Sequence, residues 1–555
     1  MPDSTSTTPE IAPDYYLTNF QFLVNWVAAR YEDLLSAEEL QFITQFHNLN
    51  HGGQCLFVRL SSRKGNLFRA DKLRYTEIDS VEVAAYNLVK NNLLEMESLL
   101  TLQEVSSLLT KVELLGLFRE ELSAHKSQRK EVLIQLLGEK YQEELTWQDW
   151  TQNQFSQVYR LGTQQIIDNF LLLFFGNSYQ DLTEFVLQDL GLYRYENYVI
   201  DRQHRIFKSR AELEEYQHLI EIREQLANAS ELEELIAIAE QIPASLSTSA
   251  LEHRRARLCN QLAYEFERWD QHAIAVSLYQ QSHLPPARER QVRLLEKQRD
   301  YAKAWHLLSE ILANPINEHE LQVAERMAPR LAKKASIAFD KKRGSSITEK
   351  YLILPRIADE NGNPFYVEEI VRRHIDSENS PCFYVENQLL SSLFGLWLWP
   401  EMFRSREGAF ANPFQATPLD MYDSTFMTNR PQIKILWQLF EDDSHREHIR
   451  NTWQQKNGIT NHFVNWSFID EKTLELALAC IPARHLKLIF ERLLFDIKNN
   501  RSGLPDLIQF FPETKSYCMI EVKGPGDRIQ DNQKRWLDFF LKHEIPAEVV
   551  YVSWQ

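Results

Sequence analysis

The pattern of apolar and polar positions divides the chain into stretches of different period. From about Tyr15 to Ile78, helical periodicity gives way to CLFVRLSSRKGNLFR, whose alternation predicts strand, turn, strand. The run LLTKVELLGLFREELSAHKSQRKEVLIQLLGEKY predicts helix, short basic connector, helix, with Leu114, Leu117 and Leu122 in the core. Mixed helices continue from about Thr146 to Val199, where NFLLLFFGNSYQDLTEFVL is apolar enough to be core. From about Ala211 to Ala335 the pattern is almost entirely helical. Within it WDQHAIAVSLY and DYAKAWHLLSE align, with Ala273–Ile274 matching Ala304–Trp305, and this repeat predicts tetratricopeptide-like helical hairpins. A charged linker, KKASIAFDKKRGSSITEK, precedes a final α/β region from about Phe365, closing on AEVVYVSW as a buried strand.

That final region holds the candidate chemistry. In RSGLPDLIQFFPETKSYCMIEVKGPGDR, Pro505 fixes a sharp entry to the strand DLIQFF, PETKS supplies a turn, and YCMIEVKG returns antiparallel. Successive strand side chains alternate faces, so Glu521 and Lys523 share one side while Val522 points away. The hairpin brings Asp506 beside Glu521. Two converging carboxylates repel unless a cation lies between them, and an oxygen-only ligand set without Cys or His favours Mg²⁺ or Mn²⁺ over Zn²⁺. The Val522 carbonyl is a further candidate ligand, and Lys523 is placed to orient or deprotonate a water and to offset charge on a phosphate. A bare Glu-x-Lys is an ordinary surface ion pair. Here it is followed by a glycine-proline break and an amphipathic helix, on which Gln533 and Lys534 suit a phosphate backbone while Trp536, Phe539 and Phe540 are expected to be buried.

These motifs resemble the PD-(D/E)xK nuclease superfamily, and GLPDL…EVKGPGDR…Q…W resembles its VRR-NUC branch, most closely the Fanconi-associated nuclease family. The likeness extends through ANPFQATPLDMYDSTFMTNRPQI and YYLTNFQFLVNWV to most of the chain. It implies a further catalytic glutamate at the start of an upstream apolar helix, and YVENQLLSSLFGLWLWPEMF offers Glu386 there. Glu386, Asp506, Glu521 and Lys523 are therefore the expected catalytic residues, with one or two Mg²⁺ or Mn²⁺ ions held by Glu386, Asp506, Glu521 and Val522. The helix, basic connector, helix segment resembles a SAP domain, with His125, Lys126, Arg129 and Lys130 facing phosphates. Animal members carry an N-terminal zinc finger that reads ubiquitin. The five scattered cysteines (Cys55, Cys259, Cys382, Cys480, Cys518) form no CxxC pair, so a bacterial-type member without ubiquitin recruitment is expected.

Composition changes this picture in one respect. The net charge of −17 over 555 residues is the wrong sign for a chain that coats DNA. Local clusters nevertheless exist: Arg59, Arg63, Lys64, Arg69, Lys72 and Arg74 in one segment, and Lys126, Arg129 and Lys130 in another. They predict a confined, salt-sensitive footprint, a basic β-wing in the first case, with a solvated hairpin as the equal alternative. Scattered cysteines, no long apolar span and a leader, MPDSTSTTPEIAPD, without signal-peptide character predict an intracellular protein that meets no membrane. Its place would be the cytoplasm and nucleoid of a bacterium or the nucleus of a eukaryote.

The expected fold is multidomain α+β, with largely helical N-terminal and tetratricopeptide-like regions followed by an α/β PD-(D/E)xK nuclease domain. The expected segments are a leader over 1–14, an N-terminal DNA-binding domain over 15–100, a SAP-like domain over 101–200, helical repeats over 201–340, a linker over 341–364 and the nuclease over 365–555. The resemblance implies a monomeric, metal-dependent deoxyribonuclease that cuts 5′ flaps and branched DNA near the junction. It also implies 5′→3′ exonuclease action in interstrand cross-link repair. A Holliday-junction resolvase and an inactive helical-repeat scaffold are the alternatives.

Overall fold

The computed structural model describes residues 12–183, 193–339, 347–423 and 426–555, so most of the expected leader and the Lys341–Arg343 cluster lie outside it. It divides into two compact units, residues 1–193 with 201–210, and residues 194–200 with 211–555.

The first unit is built mainly from helices. Helix α1 (Tyr15–Tyr31) and helix α2 (His51–Ser61) pack around Phe20, Phe42, Phe46 and Phe57. Helix α2 corrects the sequence reading, because CLFVRLS is the body of this helix and not the first strand of a hairpin. Asn50 caps it by accepting the Gly53 N–H at 2.8 Å, and Cys55, Leu56, Phe57, Val58 and Leu60 are all buried. A short run that is apolar at nearly every position carries no distinguishing period, so alternation there was a false signal. The strand that does form, β1 (Leu67–Arg69), pairs antiparallel with β2 (Val158–Arg160), Phe68 opposite Tyr159. This pairing spans the expected boundary at 100.

Between those strands, helices α3 (Lys111–Leu117) and α4 (Lys130–Gly138) give the expected helix, connector, helix arrangement. Leu114, Leu122, Leu133 and Leu137 are buried against Trp147 and Trp150, while Leu117 is only partly buried. Helix α5 (Gln164–Phe175) buries Phe170, Leu173, Phe174 and Phe175, and Gly176 ends it at φ +70°. The remainder of that apolar stretch, from residue 184, lies outside the described residues.

In the second unit, helices α6 (Arg210–Asn228), α7 (Leu232–Glu240), α8 (Ser249–Arg268), α9 (His272–Gln280), α10 (Ala287–Lys297), α11 (Tyr301–Ala313) and α12 (Glu318–Ala335) follow one another. Small residues at the crossings, Ala304, Ala324 and Ala328, let Val292, Leu308, Ile311 and Met327 interdigitate into one core.

A five-stranded sheet follows, in the order β3 (Thr348–Leu354), β7 (Ala547–Trp554), β6 (Ser516–Lys523), β5 (Leu507–Phe511), β4 (Cys382–Tyr384). Strands β3, β7 and β6 are parallel, and β6, β5 and β4 antiparallel. Strand β3 lies within the segment read as a linker. Its exposed, charged first residues hid it, because an edge strand packs on one side only. Strand β7 is interior, as AEVVYVSW predicts. One sheet face buries Leu507, Ile520, Val522, Val550 and Val552 against Ile370 and Val371 of helix α13 (Val367–Ile375). Each fully buried aliphatic side chain there contributes about 1.5–3 kcal/mol, which fixes the register and hence which side chains reach the opposite face.

Candidate active site

The hairpin register decides what meets what. Leu507 pairs with Ile520, so one step further Asp506 stands opposite Glu521, both on the face away from the aliphatic core. Asp506 Oδ2 accepts the Val522 N–H at 2.8 Å, which locks its carboxylate against the returning strand. All three groups are shielded from water: Asp506 is 6 % exposed, Glu521 0 % and Lys523 7 %. Lys523 Nζ lies 2.7 Å from Glu521 Oε1. Lys523 thus meets Glu521 Oε1 as an ion pair, and Glu521 Oε2 has no hydrogen-bond partner.

Burial and mutual repulsion set the protonation chemistry. Burial pushes the Asp506 carboxyl up, against the Val522 N–H and the Lys523 charge, which lower it. The Glu521 carboxyl is likewise raised, first by burial and then by Asp506, with Lys523 opposing. One ammonium does not compensate two buried carboxylates, and the shortfall is about one positive charge or more.

Glu386 enters from the other side of β5. Strand β4 pairs with β5, Tyr384 opposite Leu507, and the Val385 N–H donates to the Asp506 carbonyl at 2.7 Å. Glu386 therefore sits in the turn between β4 and helix α14 (Leu389–Met402), just before the helix and not within its first turn. The Tyr384 hydroxyl donates to Glu386 Oε2, and Asn387 Nδ2 to Oε1 at 3.3 Å. Asn387 adopts φ +55°, and its Oδ1 accepts the Leu504 N–H at 3.1 Å, tying this turn to the Gly-Leu-Pro-Asp segment. Helix α14 is buried on all sides, with Leu389, Leu393, Phe394 and Trp397 inaccessible, so the turn rests on a rigid base. Beside Glu386 opens a polar cavity of about 410 Å³, lined by Asn387, Gln388, His462, Asn465 and Arg501 among others.

Among the described residues no three His, Cys, Asp or Glu side chains gather as a ready-made metal cluster. Asp506 and Glu521 come together, whereas the Glu386 carboxylate is turned to Tyr384 and Asn387. The donor set still fits a hard dication: buried oxygens in charge excess, one of them, Glu521 Oε2, without a hydrogen-bond partner, and no thiol or imidazole among them. One residue escaped the sequence reading. Glu368, in the first turn of α13, acts electrostatically on both Asp506 and Tyr384. An acidic pair at a helix start reads as a dipole partner, so nothing in its pattern marked it.

Several expected DNA contacts are otherwise occupied. Arg69 is 4 % exposed, and its guanidinium is held by Asp71 at 2.7 Å and Glu113 at 2.9 Å. It belongs to the core of the first unit and not to a DNA surface. Arg59 pairs with Glu77 and lies over the Tyr16 ring. Lys130 donates to the Leu109 carbonyl at 2.7 Å, and Gln533 Oε1 accepts the Gln530 N–H as part of a capping box. Arg63, Lys64, Lys72, Lys126 and Arg129 are exposed. Lys534, on helix α15 (Asp531–Lys542), is exposed beside Asp538, while Trp536 and Phe540 are buried as expected and Phe539 is half-buried.

Comparison with known proteins places this geometry. Residues 440–554 match the VRR-NUC domain, 14–95 the FAN1 HTH domain and 99–150 the Fanconi anemia-associated nuclease SAP domain. The chain is 38% identical over 555 residues to the Fanconi-associated nuclease 1 homolog of Pseudomonas aeruginosa, covering 100% of this chain and 98% of that one. It is 26% identical to human Fanconi-associated nuclease 1, spanning 97% of this chain and 62% of the human protein. A crystal structure of paFAN1 bound to 5′-flap DNA with a 2-nucleotide flap and a gap superposes with TM-score 0.84 at 38% identity, covering 99% of each chain. The complex with a 1-nucleotide flap gives 0.82. This chain belongs to the Fanconi-associated nuclease family and is a DNA-repair nuclease built on a VRR-NUC domain.

Proposed function

We propose that this nuclease cleaves 5′ flaps and related branched DNA near the junction and digests 5′→3′, in the repair of interstrand cross-links. The observation that carries the chemistry is the pair Asp506 and Glu521, opposed on one strand register, buried, and short of positive charge. Support for the substrate class comes from the paFAN1 complexes with 5′-flap DNA, which this chain matches along its whole length.

The family implies dependence on a divalent cation, and we assign Glu386, Asp506, Glu521 and the Val522 carbonyl to hold one or two Mg²⁺ or Mn²⁺ ions. When bound, such an ion supplies Lewis-acid stabilisation of charge on the phosphodiester. The protein's own groups do the rest. Lys523, held beside Glu521 in a dry site, places an ammonium where it orients a water and offsets charge accumulating on the phosphate. The bond from Val522 N–H to Asp506 fixes that carboxylate before substrate arrives, whereas Glu386 is held by Tyr384 and Asn387 and must turn from them to join Asp506 and Glu521. The exposed cations Arg63, Lys64, Lys72, Lys126, Arg129 and Lys534 contact duplex phosphates without reading sequence. The enzyme acts as a monomer. End-labelled 5′-flap, 3′-flap and four-way-junction DNAs, incubated with Mg²⁺, Mn²⁺ or EDTA, test this. Metal-dependent cutting of the 5′ flap is expected, and preferential cutting of the four-way junction would replace this reading with a resolvase.

A further inference from the structure

The face of the sheet that carries Glu521 and Lys523 continues outward over two more strands, and level with Lys523 both of them present a tyrosine. Across the parallel register Lys523 pairs with Tyr551 of β7, and Tyr551 pairs with Tyr351 of β3. Residues paired in a parallel ladder point to the same side, so Lys523, Tyr551 and Tyr351 form one row at strand spacings of about 4.8 Å. The two tyrosine rings stack, with centroids 5.3 Å apart and planes inclined by 17°.

Among the described residues, Tyr351 ends the row on the outermost strand of the sheet. Its side chain is 72% exposed, yet it is pinned: the hydroxyl donates to Glu349 Oε2 at 2.9 Å, and Tyr551 backs one ring face. Ile353, 67% exposed and two residues further on β3, extends the apolar floor. A large aromatic held in place, open on one face, and about two strand spacings from the proposed catalytic lysine does not serve the aliphatic cluster on the other side of the sheet. Every nucleobase presents a π face, so such a surface accepts an unpaired base without regard to sequence. Paired bases are inaccessible to it, because they are stacked inside the duplex.

We infer that Tyr351, backed by Tyr551, is a stacking platform for an unpaired nucleobase of the flap strand, holding single-stranded DNA beside the catalytic face. This rests on the flap-nuclease reading above. It gives a physical reason for preferring a junction over uninterrupted duplex, since only a junction offers an unstacked base within reach of Lys523.

The test uses the full chain and a 5′-flap duplex with 2-aminopurine at successive flap positions, its fluorescence read in Ca²⁺ alongside binding by anisotropy. The native chain is expected to quench the probe at one flap position and to bind the flap duplex more tightly than the same nicked duplex without a flap. Tyr351→Ala should abolish that quenching and weaken flap binding about 5- to 10-fold, leaving nicked-duplex binding unchanged, and Tyr351→Trp should restore both. Equal quenching and equal flap affinity in Tyr351→Ala would overturn the inference. So would a shift of the native chain from dimer to monomer in sedimentation on that substitution, which would make the shelf an interface between copies. Asp506→Ala separates the two readings: it loses cleavage but keeps the quenching. A native chain that quenches and cuts no flap would refute the nuclease reading alone.

Discussion

Asp506 and Val522 are joined by a hydrogen bond from the Val522 N–H to the Asp506 carboxylate at 2.8 Å, and that bond orients the Asp506 carboxylate opposite Glu521. The returning strand thus fixes a charge that would otherwise swing away from its neighbour. Asp506→Asn keeps an acceptor in the same place and removes one of two repelling carboxylates. In EDTA this variant should be more stable than the native chain by about 1 kcal/mol in urea unfolding, while losing cleavage. A less stable Asp506→Asn would show that repulsion does not dominate the site.

The same strain makes stability depend on pH. Both carboxyls are raised in the folded state, so the folded protein holds protons that the unfolded chain, with carboxyls near 4, releases first. The contribution is full below the ordinary carboxylate range and is lost as pH climbs through the raised values. Thermal unfolding of the metal-free chain should therefore show a fall in Tm from mildly acidic to neutral pH. Added Mg²⁺ should recover that fall, most strongly at the higher pH, and a pH-independent metal effect would count against ion binding at these groups.

Gly503, the glycine of Gly-Leu-Pro-Asp, adopts φ +87°, and a Cβ there would lie 2.7 Å from the Asn532 carbonyl carbon and 2.9 Å from its oxygen. Backbone at the start of α15 packs directly on it. Gly503→Ala should cost about 2 kcal/mol or more, because both the conformation and the contact are with rigid main chain. Equilibrium unfolding checks this, and a change within about 0.5 kcal/mol would show that the helix shifts freely.

Cations on the first unit divide by burial. Lys126→Glu with Arg129→Glu should weaken DNA binding and flatten its salt dependence, each lost phosphate contact reducing the slope by about 0.9. Arg69→Ala should instead destabilise the fold by about 1–3 kcal/mol, through loss of the buried guanidinium's packing and of its bonds to Asp71 and Glu113. The salt slope of whatever folded Arg69→Ala protein remains should be native. Titrations at several ionic strengths distinguish the two behaviours.

The hairpin was legible because period-two alternation and a turn fix register, and register alone puts Asp506 opposite Glu521. Glu386 was legible only through family likeness. Its place in a turn, held by Tyr384 and Asn387, follows from strand β4, which is too short to announce itself. Arg69 was misread because sequence shows charge and not burial: Asp71 is a near neighbour, but Glu113 arrives from a distant helix. CLFVRL was misread because a helix buried on most sides has no polar stripe. Strand β3 was hidden by its own exposure, and the same exposure leaves Tyr351 open at the sheet edge.

The role proposed for the opposed carboxylates Asp506 and Glu521 is metal-dependent cleavage of flapped DNA. Cleavage of an end-labelled 5′ flap in Mg²⁺ or Mn²⁺ by the native chain and by Asp506→Ala tests it most directly, with DNA affinity measured in parallel. Cutting near the junction by the native chain is expected, with none in EDTA and none by Asp506→Ala at an affinity within a few-fold of native. Persistent cutting by a pure Asp506→Ala preparation would contradict it.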